Sequence, residues 1–270
     1  MNKRDIKIEL YNDHFQNFKR YNIPKAQLII ADIPYNLGKN AYASSTEWYN
    51  DGDNKNGESE KANTEFFDTD KDFRIAEYMH FCSKMLKKEP KGKVKRGEQK
   101  SPAMIVFCSF EQMQMVIDYG KKYGFNHNIP LVFIKNYSSQ VLKSNMRIVG
   151  ATEYALVLYR ERLPKFNNNG RMIFNWMNWE KDNIPKVHPT QKPLPVLKKL
   201  ISIFTDEYDT VIDPVAGSGT TLRACSEMNR NAYGFEIKKD FYRAAKEKIL
   251  KNRQMSLIGL DNFKQEVIYE

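Results

Sequence analysis

Val211-Ile212-Asp213-Pro214-Val215-Ala216-Gly217-Ser218-Gly219-Thr220-Thr221 is the stretch that decides how this chain folds. An apolar run ends on an acid, a Gly-x-Gly turn follows, and a helical pattern begins at Thr220. Glycines at a strand-to-helix joint let the backbone turn tightly and approach a ligand with no side chain between. Nineteen residues after Gly217 stands Glu236, at the end of the next apolar run, where a carboxylate can accept from two ribose hydroxyls. The residue three past Gly219 is Leu222, so the dinucleotide fingerprint is incomplete and a nucleoside cofactor is the better expectation. A Gly-x-Gly turn can also be a purely structural joint, and that reading stays open on these residues alone.

Around this turn strands and helices alternate. Strand patterns fall at 6–10, 27–31, 103–108, 129–134, 153–159, 210–213 and 232–235, and helical ones at 72–86, 111–123, 194–204, 220–229 and 239–252. Such alternation predicts an α/β fold: a single doubly wound, mostly parallel sheet with helices on both faces. The chain reads as one catalytic domain over 1–270. Within it, 37–70 is polar and aperiodic, expected to be a mobile loop, and 87–100 is a basic loop. Eight Lys and Arg fall between Lys84 and Lys100, a run that serves either as a solvated face or as a phosphate-binding one.

Lys and Arg total 43 against 33 Asp and Glu, a net +10 that suits a polyanionic partner without requiring one. The three cysteines show no CxxC spacing and there are only four histidines, so neither a disulfide framework nor a metal site is expected, His188 included. No leader-like segment or apolar stretch long enough to span a bilayer stands out, and a cytoplasmic protein away from membranes is expected.

A second site pattern is Ala31-Asp32-Ile33-Pro34-Tyr35, directly after its own apolar strand. A carboxylate, a carbonyl and an aromatic ring would then cluster at the carboxyl edge of the sheet, where open α/β sheets bind ligands. An exocyclic amine on a base has its lone pair delocalised into the ring and attacks poorly. Acceptors at Asp32 and at the Ile33 carbonyl would localise that pair while Tyr35 stacks on the base, once the base has left the duplex. The alternative is that Asp32 caps a turn and Tyr35 packs.

Taken together, Asp32 to Tyr35, His188-Pro189-Thr190-Gln191-Lys192-Pro193 before a helix, and Asp213 to Thr221 after it resemble the β-class DNA amino-methyltransferases, in which a D-P-P-Y motif precedes D-P-F-x-G-x-G. The resemblance runs from about Ile6 to Asn252. It implies a Rossmann-like methyltransferase fold with permuted motif order and an inserted target-recognition segment, S-adenosylmethionine as cofactor, and DNA as partner. Asp32, Ile33, Pro34 and Tyr35 would be catalytic. Asp213, Pro214, Gly217, Ser218, Gly219, Thr220 and Thr221 would line the methionine end of the cofactor, with a side chain at Gly219 filling its space. Thr190, Gln191 and Lys192 would lie near its carboxylate, Glu236 on its ribose, and Phe235 or Ile237 on its adenine. Asp13 would match a short acidic motif near that adenine.

Two departures stand out: Ile33 replaces the family's first Pro, and Val215 and Ala216 replace its bulky residues. Ile33 keeps the carbonyl, and Pro34 still confines it to extended geometry, but it adds an N–H and a branched side chain beside the target pocket. Asp32, where cytosine-N4 enzymes usually carry Ser, favours adenine N6 as the target. A cytosine-N4 enzyme and a catalytically silent DNA-binding relative are the alternatives; motif order, and Asp32 where those enzymes carry Asn, argue against a third, a protein-glutamine methyltransferase. Target recognition is expected in about 160–187, where Ile173 to Trp179 either reaches base edges or forms a small hydrophobic cluster, the latter favoured for its aromatics. A homodimer and a partner restriction endonuclease stay open, the second with nothing to indicate it.

Overall fold

The computed structural model describes residues 5–34, 73–92, 100–136, 150–188 and 190–251. The expected loop at 37–70, Tyr35, and 93–99 of the basic loop lie outside the described residues.

Eight strands form one sheet: β1 (Ile8–Tyr11), β2 (Leu28–Asp32), β3 (Ala103–Phe107), β4 (His127–Ile134), β5 (Thr152–Tyr159), β6 (Trp176–Asn178), β7 (Thr210–Asp213) and β8 (Asn231–Phe235). Their order is β1-β8-β7-β2-β3-β5-β4-β6. β5 runs antiparallel to both its neighbours, and the other pairings are parallel. The helices are α1 (Ile75–Met85), α2 (Met113–Lys122), α3 (Leu194–Phe204), α4 (Thr220–Glu227) and α5 (Lys239–Ala244). No helix among the described residues is long and apolar enough to cross a membrane.

Strand alternation explains the two-faced core. Leu28 and Ile30 of β2, and Ala103, Ile105 and Phe107 of β3, pack with Leu197, Leu200, Ile201, Leu222 and Cys225 of α3 and α4. Ile29, Ala31, Met104 and Val106 point the other way, onto Tyr78, Met79, Cys82 and Met85 of α1 and Val116 of α2. Each Leu, Ile, Val, Phe or Met among them, fully removed from water, contributes about 1.5–3 kcal/mol before entropy is charged against it.

β2 and β7 are neighbours whose connections leave in opposite directions, β2 towards β3 and β7 towards β8. That is a topological switch point, and the crevice beyond the carboxyl ends of such a pair is where open sheets bind ligands. Asp32 and Asp213 are the last residues of those two strands.

Several local features differ from the sequence reading. α1 starts three residues late, with Arg74 at its N-cap position and no capping side chain. The helix expected at 111–123 opens as a 3-10 turn, Phe110–Gln112, closed by a Ser109–Gln112 capping box. Past Ala244, α5 widens into a π-helical turn over Ala245–Leu250 with Ala245 and Ile249 buried. β6 was not expected; it pairs in parallel with Val132, Phe133 and Ile134 of β4.

Candidate active site

A cavity of about 300 Å³ opens at the carboxyl ends of β2, β7 and β8. It gathers three stretches distant in sequence: Asp32, Ile33 and Pro34; Thr190, Gln191 and Lys192; and Asp213, Pro214, Gly217, Ser218, Thr220, Thr221, Phe235 and Glu236. Its volume is at the lower end of small-molecule pockets, which run roughly 300–1,000 Å³.

The glycine turn is held by its own backbone and by Glu236. Ala216 N–H donates to the Phe235 carbonyl at 2.8 Å and Gly219 N–H to the Ala216 carbonyl at 2.8 Å. Glu236 accepts from Gly217 N–H at 2.9 Å with Oε2 and from Lys238 N–H at 2.7 Å with Oε1. Ser218 and Thr220 hydroxyls lie 2.7 Å apart, and Gly219 is the N-cap of α4. Both glycines have positive φ, +49° at Gly217 and +74° at Gly219. They do different things. A Cβ at Gly217 would stand 3.4 Å from His188 Nε2 at the cavity wall, whereas one at Gly219 would meet Ala245 Cβ at 3.2 Å, away from the ligand space. Gly219 does not line the cavity, so its requirement is for a left-handed backbone and close packing on the π-helical turn.

Asp213 is buried and receives Val215 N–H at 3.1 Å; burial pushes its carboxyl up to about 7. Burial likewise lifts Glu236 to about 7 and raises Asp32, with the Lys192 ammonium opposing the shift at Asp32. Beside apolar side chains the wall thus carries three carboxyl groups and two lysines, Lys192 and Lys238, with Lys192 paired to Asp32.

Asp13 lies outside the cavity lining. Its oxygens accept from His14 N–H at 2.7 Å, Asn17 Nδ2 at 2.6 Å and the Tyr21 hydroxyl at 2.8 Å, which hold its carboxyl below the ordinary range. Its neighbours His14 and Phe15 are the ones that reach the cavity.

Ile33 is buried, its N–H donating to the Phe107 carbonyl at 3.2 Å. The extra donor that Ile brings therefore extends the β2–β3 ladder by one bond, and its branched side chain packs among the residues facing α1 and α2. Gln112 Nε2 donates to the Pro34 carbonyl at 3.0 Å, fixing the strand end from the other side.

His188, which opens the His-Pro-Thr-Gln-Lys-Pro motif and was not expected to hold a metal, lines the cavity edge-on to the Phe241 ring, centroids 4.4 Å apart. Burial first, then Lys192, Lys238 and Lys186, push it down to about 4, so it is neutral near pH 7. Phe241 and Lys238 join the wall as well. Their signal was position alone, at the N-cap and in the first turn of α5, just past the acid that follows β8.

In the expected recognition segment the aromatics divide. Met177 and Trp179 are buried, while Phe174 and Trp176 are exposed and stacked on each other, centroids 6.0 Å apart at 17°. The segment is thus part core and part surface.

The DNA methylase family of N6/N4 type matches residues 26–247 of this chain. DNA adenine methyltransferase YhdJ of Escherichia coli (strain K12) is 25% identical over 256 residues, covering 88% of this chain and 80% of that protein. The crystal structure of the M1.HpyAVI-SAM complex superposes with a TM-score of 0.63 at 25% identity, over 89% of this chain and 98% of that one. The PvuII DNA methyltransferase, cytosine-N4-specific, shares the fold at a TM-score of 0.60 and 16% identity, over 89% of this chain and 85% of that one. With the family match running through the Asp32 strand, the Thr190 to Lys192 loop and the glycine turn alike, the chain belongs to the N6/N4 DNA methylases.

Proposed function

We propose that this methylase modifies the N6 amino group of adenine within a specific DNA sequence, acting on a base turned out of the duplex. The observation that carries this reading is Asp32: a carboxylate, not a hydroxyl, ends β2 on the cavity wall that also holds Asp213 and Glu236. The similarity to an E. coli adenine methyltransferase across 88% of the chain supports the same target.

S-adenosylmethionine supplies a methyl group on a sulfonium, whose carbon–sulfur bond breaks with its electron pair going to sulfur. The cavity fits such a molecule. Asp213 offers a carboxyl group to the positive charge of the ligand, Gly217 brings its backbone to the wall with no side chain, and Glu236 would accept from a ribose. Asp32 accepts one N–H of the target amine and the Ile33 carbonyl the other, drawing the nitrogen towards a geometry in which its lone pair can attack. The methylated nitrogen sheds one proton, which Asp32, already accepting from that nitrogen, can take. The exposed, stacked Phe174–Trp176 pair is what the recognition segment offers in aromatic surface to DNA bases. The buried, free cysteines Cys82, Cys108 and Cys225 suit the reducing cytoplasm in which we place the enzyme.

Digestion and mass spectrometry of undermethylated DNA after incubation with the protein and S-adenosylmethionine tests the reading. N6-methyladenine is expected; N4-methylcytosine reassigns the target, and no modified nucleoside removes the activity.

A further inference from the structure

Lys192 stands in the Thr-Gln-Lys stretch whose family resemblance points to the cofactor carboxylate, yet its ammonium is engaged elsewhere. It donates to Asp32 Oδ2 at 2.6 Å, with the two side chains 9% and 23% exposed. The ammonium lies 5.3 Å from the centre of the Phe107 ring and 5.9 Å from that of Trp179. Trp179 has a second lysine against it, Lys135 at 5.1 Å, which pairs with Glu153. The other oxygen of Asp32, Oδ1, is buried with no hydrogen-bond partner among the described residues.

We propose that Lys192 is a positioning residue for methyl transfer: by holding Oδ2 it fixes the orientation of Asp32 and keeps it a carboxylate, so that the target amine meets a charged acceptor. The proposal rests on the methyl-transfer reading above. A protonated Asp32 would present an O–H donor where the amine needs an acceptor, and burial favours that neutral form. The charged and titratable groups facing Asp32 are Lys192 and Lys135, which favour its ionisation, Glu153 and Asp213, which oppose it, and the buried thiol of Cys108. Of these, Lys192 makes the direct contact. The Phe107 and Trp179 rings stabilise the ammonium through their faces without neutralising it, leaving its charge for Asp32. Because Trp179 comes from the 160–187 segment, the segment expected to read DNA also buttresses the charge on the residue that activates the base.

The test compares wild type with Lys192→Met, Lys192→Gln and Lys192→Arg. Protein labelled with 13C at aspartate carboxyls is titrated by NMR, with the Asp32 signal assigned by its loss in Asp32→Asn. In the Met and Gln variants the Asp32 midpoint should rise by about one pH unit or more, as loss of a contacting opposite charge does. The acid limb of the methyl-transfer rate should move with it, and Arg should restore most of both. Cofactor affinity by calorimetry should change less than about threefold, since an interaction that serves only the transition state leaves ground-state binding intact. An unmoved Asp32 midpoint with cofactor affinity weakened about tenfold, roughly 1.4 kcal/mol, would overturn the proposal and put Lys192 on the cofactor carboxylate. If both variants fail to fold, the wild-type titration decides: an Asp32 midpoint above neutrality overturns the proposal, and one below neutrality supports it. A wild-type enzyme that methylates no DNA would remove the activity reading while leaving the ion pair testable by the same titration.

Discussion

The Gly217 N–H donates to Glu236 Oε2 at 2.9 Å, so the carboxylate that ends the β8 side of the cavity also braces the glycine turn after β7. A single buried group thereby holds the turn and faces the ligand space.

Burial raises the Glu236 carboxyl from the ordinary 4.5 to about 7. The folded protein therefore keeps a proton there that the unfolded chain releases, and this group's contribution favours folding below about pH 4.5 and is lost as pH rises through 7. If Glu236 accepts from the ribose hydroxyls as an ionised carboxylate, as its assignment requires, cofactor affinity should climb between pH 6 and 7 by up to about tenfold for one such group. Calorimetry in buffers of different ionisation enthalpy should show proton release on binding at pH 6.5 or thereabouts. Glu236→Gln should weaken binding and leave only the release that Asp213, also near 7, contributes.

Replacing the two turn glycines should separate stability from binding. Gly219→Val forces a branched residue into a left-handed conformation and against Ala245, and should cost about 1–2 kcal/mol from the backbone alone, read from the urea midpoint. Gly217→Ala places its methyl on His188 at the cavity and should lose more cofactor affinity for each unit of stability lost. Equal ratios for the two would mean that Gly219 also shapes the pocket.

Asp32→Asn keeps the shape and replaces an acceptor oxygen with a donor. Single-turnover methyl transfer should slow on the order of a hundredfold or more, as removal of one preorganised electrostatic group does, while cofactor affinity changes less. A near-normal rate would take Asp32 out of the chemistry.

Ile33→Pro restores the family's residue and deletes the N–H that reaches the Phe107 carbonyl. Leaving that buried acceptor short should lower stability by about 1–3 kcal/mol in denaturant unfolding. Methyl transfer should persist, because the carbonyl at position 33 is retained.

Much of this architecture is written in short-range pattern. β7 and α3 begin and end where the apolar runs at Thr210–Asp213 and Leu194–Phe204 do, because both are nearly continuous core material. β6 escaped notice because three residues are too few to show a period; with Trp179 the burial alternates, Trp176 out, Met177 in, Asn178 out, Trp179 in, and a reading in twos would have found it. The antiparallel run of β5 left no trace, since a buried strand reads the same in either direction. The site motifs gathered into one cavity, yet which way each group points was illegible. The Gly219 Cβ direction depends on α5 and the turn beyond it, and the partner of Lys192 lies 160 residues away in sequence.

The pairing of β1 with β8 sets a timetable for the ribosome. Ile8 lies beside Ala232 and Tyr11 beside Phe235, and β2 meets β7 through Leu28 with Val211. The strand carrying Asp32 is made early but cannot gain its glycine-turn neighbour until almost the whole chain has emerged, so non-local closure is the slow step. A nascent chain arrested before β8 would leave the apolar edges of β1 and β7 unpaired and lack the Phe235 and Glu236 wall of the pocket.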